Sequence, residues 1–89
     1  MKTLPAEKIH VYFVPGLAAS PKIFEYIELP HDEFEVHHLD WFLPPSGADL
    51  TDYARIMAEQ VTHDAPVLIG VSFGGILIQE MARFLNPRT

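Results

Sequence analysis

The sequence predicts an α/β fold: a three-layer arrangement in which a parallel sheet of about three strands lies between about three helices. Two observations lead to this prediction. Short runs of β-branched and aromatic residues alternate along the chain with segments whose apolar residues recur every three or four positions. The connections are short, and strand–helix alternation with short connections is typical of parallel sheets with right-handed crossovers.

Three apolar runs are predicted to be strands. The first, residues 9–14, reads Ile-His-Val-Tyr-Phe-Val and stops at Pro15, and such a run is typical of a strand buried on both faces. The second, residues 34–39, has a more exposed face, and the third covers residues 67–71. Because the second and third strands of a doubly wound sheet often flank the first, we expect the loops after strands one and three to meet.

Three segments are predicted to be helices. Ser20 followed by Pro21 is a strong helix start, because serine caps the first turn and proline suits the first helical position. The second segment spaces its apolar residues by three and four, and the third is apolar on almost all sides. The first predicted helix runs from Ser20-Pro21 and ends before Pro30. The other two run from Asp49 or Thr51 to about His63 and from Phe73 to about Leu85.

Size, charge and composition limit the function classes. At 89 residues the chain has room for one core, so we expect a single domain. The formal net charge is −6 with only 6 Lys plus Arg, which argues against a nucleic-acid partner. The sequence has no cysteine, no apolar leader and no apolar run of the roughly 18 residues that a membrane span needs. We therefore expect a cytoplasmic protein without a membrane span.

Residues 70–74, Gly-Val-Ser-Phe-Gly, lie between the third strand and the third helix. Gly-x-Ser-x-Gly in that position is typical of a nucleophile elbow, a tight turn that exposes a serine hydroxyl above the sheet. Gly70 and Gly74 remove side chains that would collide as the chain reverses. The backbone N–H of Phe73 would lie at a helix N-terminus, where an anion is favoured, and Leu17 offers a second N–H for an oxyanion hole.

These residues resemble the α/β-hydrolase family. Residues 14–17, Val-Pro-Gly-Leu, look like that family's oxyanion loop, and residues 70–75 look like its nucleophile elbow. Residues 39–41 and 50–54 are similar to the segment that usually joins them. The resemblance implies a serine hydrolase with Ser72 as the nucleophile. It would act on a carboxylic ester, thioester or similar small acyl-type substrate through an acyl-enzyme, without a cofactor.

The sequence departs from the family pattern at two points. Pro15 stands where many members place a histidine. The acid and the histidine of the family follow the elbow in chain order, but only residues 86–89 follow the last predicted helix. We therefore expect residues 1–89 to form a partial domain that is inactive by itself and marginally stable, with the third strand as a bare apolar edge. A complete short protein would have to finish its sheet by oligomerising.

The alternative is a non-catalytic α/β module that binds a small anion, a nucleotide or a protein partner where the two loops meet. Gly70 and Gly75 match the outer glycines of the dinucleotide fingerprint G-x-G-x-x-G. Ser72 replaces the middle glycine, which lets the backbone approach a pyrophosphate. The two hypotheses differ in whether a fluorophosphonate modifies Ser72.

The 5 histidines are assigned neither to catalysis nor to a metal. His37 and His38 are adjacent on a predicted strand, so their side chains point to opposite faces. His38 and Asp40 would share a face, but two ligands are weak evidence for a metal site. The remaining interpretations are a hydrogen-bonded core or edge residue for His10 and solvent-facing side chains for His31 and His63.

Overall fold

The computed structural model of the 89-residue chain describes residues 8–15, 24 and 27–89. Within that part, three strands and two helices follow one another in the order strand, strand, helix, strand, helix. The strands are β1 (Ile9–Val14), β2 (Phe34–His38) and β3 (Val67–Gly70), and the helices are α1 (Leu50–Ala58) and α2 (Phe73–Met81). The predicted α/β class with a parallel sheet is confirmed. The helix predicted to begin at Ser20-Pro21 lies mostly outside the described residues. The prediction that it continues to just before Pro30 is wrong, because residues 27–29 are not helical and Ile27 is 49% exposed.

Both helices end earlier than their periodicity predicted. The N–H groups of Gln60 and Val61 donate to carbonyls three residues earlier, so the chain tightens and leaves the α-helical path after Ala58. Arg83 and Phe84 do the same after α2. Neither helix is long and apolar enough to cross a bilayer, within the ranges that the structure describes.

The three strands form one parallel sheet in the order β2-β1-β3, with β1 in the centre. This is the predicted order, in which the second and third strands flank the first. Val14, the last residue of β1, lies opposite Gly70, the last residue of β3. The segments that leave these two strands therefore begin side by side at the C-terminal edge of the sheet, where parallel α/β sheets bind ligands.

The outer edge of β3, expected to be bare, is partly paired with the C-terminal residues. The Leu68 N–H donates to the Thr89 carbonyl at 2.7 Å. The Arg88 N–H donates to the Pro66 carbonyl, also at 2.7 Å. These two hydrogen bonds satisfy groups at one end of the edge and reduce its capacity to pair with another chain.

The sheet buries side chains on both faces, because residues alternate between faces along each strand. The face covered by α1 and α2 carries the larger core, whose members include Tyr12, Val14, Tyr53, Met57, Leu77 and Met81. Val11 and Phe13 lie on the opposite face and pack against Phe24. Every residue from Val11 to Val14 is at most 2% exposed. The central strand is therefore a firmly packed support for the turn that follows β3 beside it.

Candidate active site

Ser72 occupies the turn between β3 and α2 in a backbone conformation that side chains rarely adopt. Its φ is 58° and its ψ is −126°, and only Ala65 shares a positive φ among the described non-glycine residues. Such a conformation costs about 1–3 kcal/mol and persists where the surrounding structure imposes it. Ser72 is exposed, and its side chain makes no capping hydrogen bond to α2. The strained turn therefore presents the hydroxyl to solvent at the C-terminal edge of the sheet.

Gly70 and Gly74 allow the backbone to reverse around Ser72. A β-carbon at Gly70 would collide with the Gly74 carbonyl oxygen, and a β-carbon at Gly74 would collide with the Val14 carbonyl oxygen. Both obstacles are backbone atoms, which cannot rotate away as a flexible side chain could. Gly75 differs, because a β-carbon there would lie 3.7 Å from its nearest neighbour, at ordinary contact distance. The geometry thus requires glycine at two of the three positions.

Phe73 is the first residue of α2, and its backbone N–H lies at the positive end of the helix dipole. The first N–H groups of a helix have no intrahelical acceptor. The Gly74 and Gly75 N–H groups donate to the Val71 and Ser72 carbonyls, each at 2.9 Å. Among the described residues, none accepts a hydrogen bond from the Phe73 N–H. This group is therefore available to an anion that develops beside Ser72.

The start of α2 packs directly on the end of β1. The Gly74 α-carbon faces the Val14 carbonyl and the backbone of Pro15, the last described residue before the loop. Leu17, the expected second donor, is only two residues further along the chain but lies outside the described residues. Of the predicted site residues, the structure thus brings together Gly70, Ser72, Phe73 and Gly74.

A cleft of about 180 Å³ begins at the residue that follows Ser72. Its lining residues are mainly apolar: Pro44, Ala48, Asp49, Leu50, Tyr53 and Phe73. The Tyr53 hydroxyl donates to the Phe42 carbonyl at 2.9 Å and accepts from the Phe42 N–H at 3.0 Å. The two rings also stack, with centroids 4.2 Å apart. These contacts attach the loop before α1 to the helix and so fix one wall of the cleft.

No base is in contact with the Ser72 hydroxyl in the part of the chain that the structure describes. His38 lies beside Phe13, with ring centroids 5.3 Å apart, on the face opposite α1 and α2. His10, His37 and His63 contact one another instead. The described histidines therefore leave the nucleophile without the partner that would take its proton.

Those three histidines form a cluster with Glu35, which sequence reasoning missed. The strand register places His10 opposite Glu35 and Tyr12 opposite His37. The side chains of these four strand residues therefore share one face of the sheet. His63, expected to face solvent, is half-buried and stacks on the His10 ring with centroids 3.5 Å apart. The period-two spacing of Glu35 and His37 was visible in the sequence. The register and the position of His63 were not, because they depend on how distant segments pack.

The surroundings of His37 favour its neutral form. Partial burial lowers the pKa of the His37 imidazole below its ordinary value of 6.5, and the nearby His63 and His10 rings lower that pKa further. The Glu35 carboxylate opposes this shift but does not reverse it. His37 therefore keeps a lone pair on one ring nitrogen at neutral pH.

Comparison with known proteins identifies the family to which this fold and the Ser72 turn belong. No curated protein and no solved structure matches the chain. The model of the alpha/beta hydrolase family matches residues 11–89, a range that begins within β1 and includes β2, β3, both helices and the Ser72 turn. With a match over most of its length, the chain belongs to the alpha/beta hydrolase family.

Proposed function

We propose that this chain carries the nucleophile of a serine hydrolase that cleaves a carboxylic ester, thioester or similar acyl bond. The observation that carries the proposal is the backbone of Ser72, whose positive φ is imposed on an exposed serine between two glycines that cannot be replaced without collision. A protein gains nothing in stability from this strain, which is typical of functional turns. Membership of the alpha/beta hydrolase family supports the same assignment.

In the proposed reaction, Ser72 Oγ attacks the carbonyl carbon of the substrate while a base takes the hydroxyl proton. The carbonyl oxygen becomes negative and accepts a hydrogen bond from the Phe73 N–H, with the Leu17 N–H as the second proposed donor. Collapse of the tetrahedral intermediate expels the alcohol or thiol, protonated by the same base, and leaves an acyl-enzyme. The base then takes a proton from a water molecule that attacks the carbonyl carbon of the acyl-enzyme, and it returns that proton to the departing Ser72 Oγ as the acid is released. The base and its carboxylate partner would be residues that do not contact Ser72 in the described part of the chain.

The cleft beside Phe73 supports a small acyl substrate with an apolar group. It is lined by Leu50, Tyr53 and Phe73 and therefore offers apolar surface beside the residue that follows Ser72. Burial of a methylene group there would contribute about 0.8 kcal/mol. We infer that short aliphatic acyl groups fit this site better than charged ones.

We also propose that residues 1–89 act as one domain that supplies the nucleophile half of the site. The Ser72 turn and the oxyanion donor are both in this domain, whereas no described side chain serves as the base. By itself the 89-residue chain would then hydrolyse esters no faster than its Ser72→Ala variant.

The direct test is ester hydrolysis by the native polypeptide that contains residues 1–89, at its full natural length. With p-nitrophenyl acetate and butyrate, Ser72→Ala should lower kcat by at least about 10³-fold, because the covalent step is lost. Ser46→Ala is the matched control, since Ser46 is an exposed serine in a turn and does not itself line the cleft. Equal activity in the Ser72→Ala variant and the unmodified protein would reject the proposal.

A further inference from the structure

Three ligand-type atoms of the histidine cluster converge at distances that suit a shared metal ion. His10 Nδ1 lies 3.0 Å from His37 Nε2, and Glu35 Oε2 lies 3.5 Å and 3.2 Å from these two nitrogens. In a tetrahedral zinc site with bonds of about 2.0–2.2 Å, neighbouring ligand atoms are about 3.3–3.6 Å apart. The three observed separations therefore approximate three edges of such a tetrahedron.

One proton shared between the two imidazole nitrogens leaves a nitrogen lone pair inside the triangle of the three atoms. A neutral imidazole nitrogen carries either a proton or a lone pair, so one proton between His10 and His37 makes one hydrogen bond. Glu35 Oε2, which only accepts when ionised, then faces at least one nitrogen lone pair across the triangle. A cation at the centre would be bound by all three lone pairs at once.

His63 lies beside these three atoms and comes from a different part of the chain. Its ring stacks on that of His10, with centroids 3.5 Å and planes 9° apart, so the His63 side chain must turn before its nitrogen can point at an ion that His10 binds. One ligand atom from each of His10, Glu35, His37 and His63 lies within 4.8 Å of those of the other three. The His63 Nδ1 is 2.6 Å from the Tyr12 hydroxyl, which also accepts the Thr62 N–H at 3.3 Å. When Nδ1–H donates to that hydroxyl, Nε2 keeps its lone pair, and a buried partner of this kind orients metal-binding imidazoles.

We propose that His10, Glu35, His37 and His63 bind one divalent transition-metal ion, with Zn²⁺ as the best fit. Three imidazoles and one carboxylate are ligands that zinc accepts in four-coordinate sites, whereas Mg²⁺ and Ca²⁺ prefer sets made of oxygen. Four protein ligands close the coordination sphere, which makes this a structural site.

The proposed site would join three segments of the chain. His10 is on β1, Glu35 and His37 are on β2, and His63 is in the connection between α1 and β3. His10 lies near the N-terminal end of β1, whereas Ser72 follows the C-terminal end of β3. Because the two strands are parallel, these residues lie toward opposite edges of the sheet, and the metal would take no part in acyl chemistry. A cleft of about 280 Å³ is lined by His10, His63 and Asp64, among others, and gives an ion access from solvent.

The test is titration of the tag-free, metal-free native polypeptide that contains residues 1–89 with Zn²⁺ alone, measured by isothermal titration calorimetry. We expect one ion per chain with a dissociation constant below about 10 µM. Co²⁺ in place of Zn²⁺ should give the visible absorption of a tetrahedral centre. Two variants probe the ligands: His37→Gln, and Glu35→Gln, whose exposed side chain makes misfolding no concern. Each should weaken Zn²⁺ binding at least about 100-fold.

The matched control is His38→Gln, because His38 is the next residue on the same strand and points to the opposite face. It should leave Zn²⁺ affinity unchanged. Tyr12→Phe removes the positioning partner of His63 and should weaken binding about 10- to 100-fold with one ion still bound. Absence of binding at equimolar Zn²⁺, or equal affinity in His37→Gln, Glu35→Gln and His38→Gln, would overturn the proposal.

Discussion

At the scale of single residues, Gly74 is the point where three parts of the structure meet. It is the second residue of α2, after Phe73, and it faces the Val14 carbonyl at the end of β1. Its missing side chain therefore serves the packing of the helix on the central strand as well as the shape of the turn. Gly75, the next residue in the helix, has no such obstacle.

This contrast predicts opposite effects for two similar substitutions. Gly74→Ala should lower the free energy of unfolding by about 1–3 kcal/mol or more, because its β-carbon must displace backbone. Gly75→Ala should be neutral or stabilise by up to about 1 kcal/mol, because alanine favours a helix and the site has room. Urea denaturation followed by circular dichroism measures both. Equal destabilisation by the two variants would show that the collision with Val14 is not the cause.

His37 predicts a pH dependence of stability. Its folded-state pKa is lowered from 6.5 by burial, so the unfolded chain binds a proton at a higher pH than the folded chain does. The free energy of unfolding should therefore fall as pH decreases through about 6.5, and this loss is complete below the folded-state pKa. Denaturation at a series of pH values with EDTA present tests this. His37→Gln should flatten the curve between pH 7.5 and 5, whereas a curve flattened equally by His38→Gln would contradict the assignment.

The sequence predicted individual residues best where a local rule applies. The Ser72 turn follows from glycine spacing between a strand and a helix, and its positive φ is a local property of that turn. The contacts of His10 with His63 are not local: 53 positions separate them, and the pairing depends on how the α1–β3 connection packs. Residues that meet through tertiary packing were therefore outside the reach of pattern analysis.

At the scale of elements, the two helices begin in different ways. Asp49 caps α1 in a capping box: its side chain accepts the Asp52 N–H at 2.8 Å, and its own N–H donates to the Asp52 carboxylate at 3.2 Å. That backbone bond from Asp49 and the Arg55 guanidinium lower the pKa of the Asp52 carboxyl. Helix α2 has no side-chain cap, since the Ser72 hydroxyl makes no such bond. The start of α1 is therefore capped by a side chain, whereas the start of α2 leaves the Phe73 N–H without an acceptor among the described residues.

The cap predicts a specific loss of stability in α1. Asp49→Ala should lower the free energy of unfolding by about 1 kcal/mol, because the Asp52 N–H loses its acceptor. Asp49→Asn should keep most of the stability, since asparagine caps about as well as aspartate. Chemical denaturation of the three proteins measures the difference. An Asn variant as unstable as the Ala variant would mean that charge, and not the capping bond, stabilises this helix.

The types and order of the five described elements were predictable because the apolar periodicity is strong in each of their segments. The positions of the helix ends were not predictable. After α1 and α2 the backbone N–H groups donate to carbonyls three residues earlier, and the apolar pattern continues through these turns without interruption. The apolar residues beyond them, Val61 and Leu85, still pack on the core from these turns. Apolar spacing reports burial, and it continued past the point where the helical hydrogen bonds stop.

At the scale of the whole molecule, the strand order β2-β1-β3 determines where the two proposed sites lie. Because β1 is central, the ends of β1 and β3 lie together, and the start of α2 rests on the end of β1. The histidine cluster lies on the face covered by the helices. Its residues come from β1, from β2 and from the connection before β3. The fold thus separates the proposed nucleophile from the proposed structural metal site, and each can be tested without the other.

The central claim is that Ser72 is a nucleophile, and the most direct measurement is covalent labelling. The native polypeptide that contains residues 1–89 would be treated with a fluorophosphonate probe, digested and mapped by mass spectrometry. We predict one modified residue, Ser72, and no labelling of the folded Ser72→Ala variant, because only an activated serine attacks the phosphorus. A folded native protein that is not labelled, or that is labelled elsewhere with Ser72 unmodified, would contradict the account.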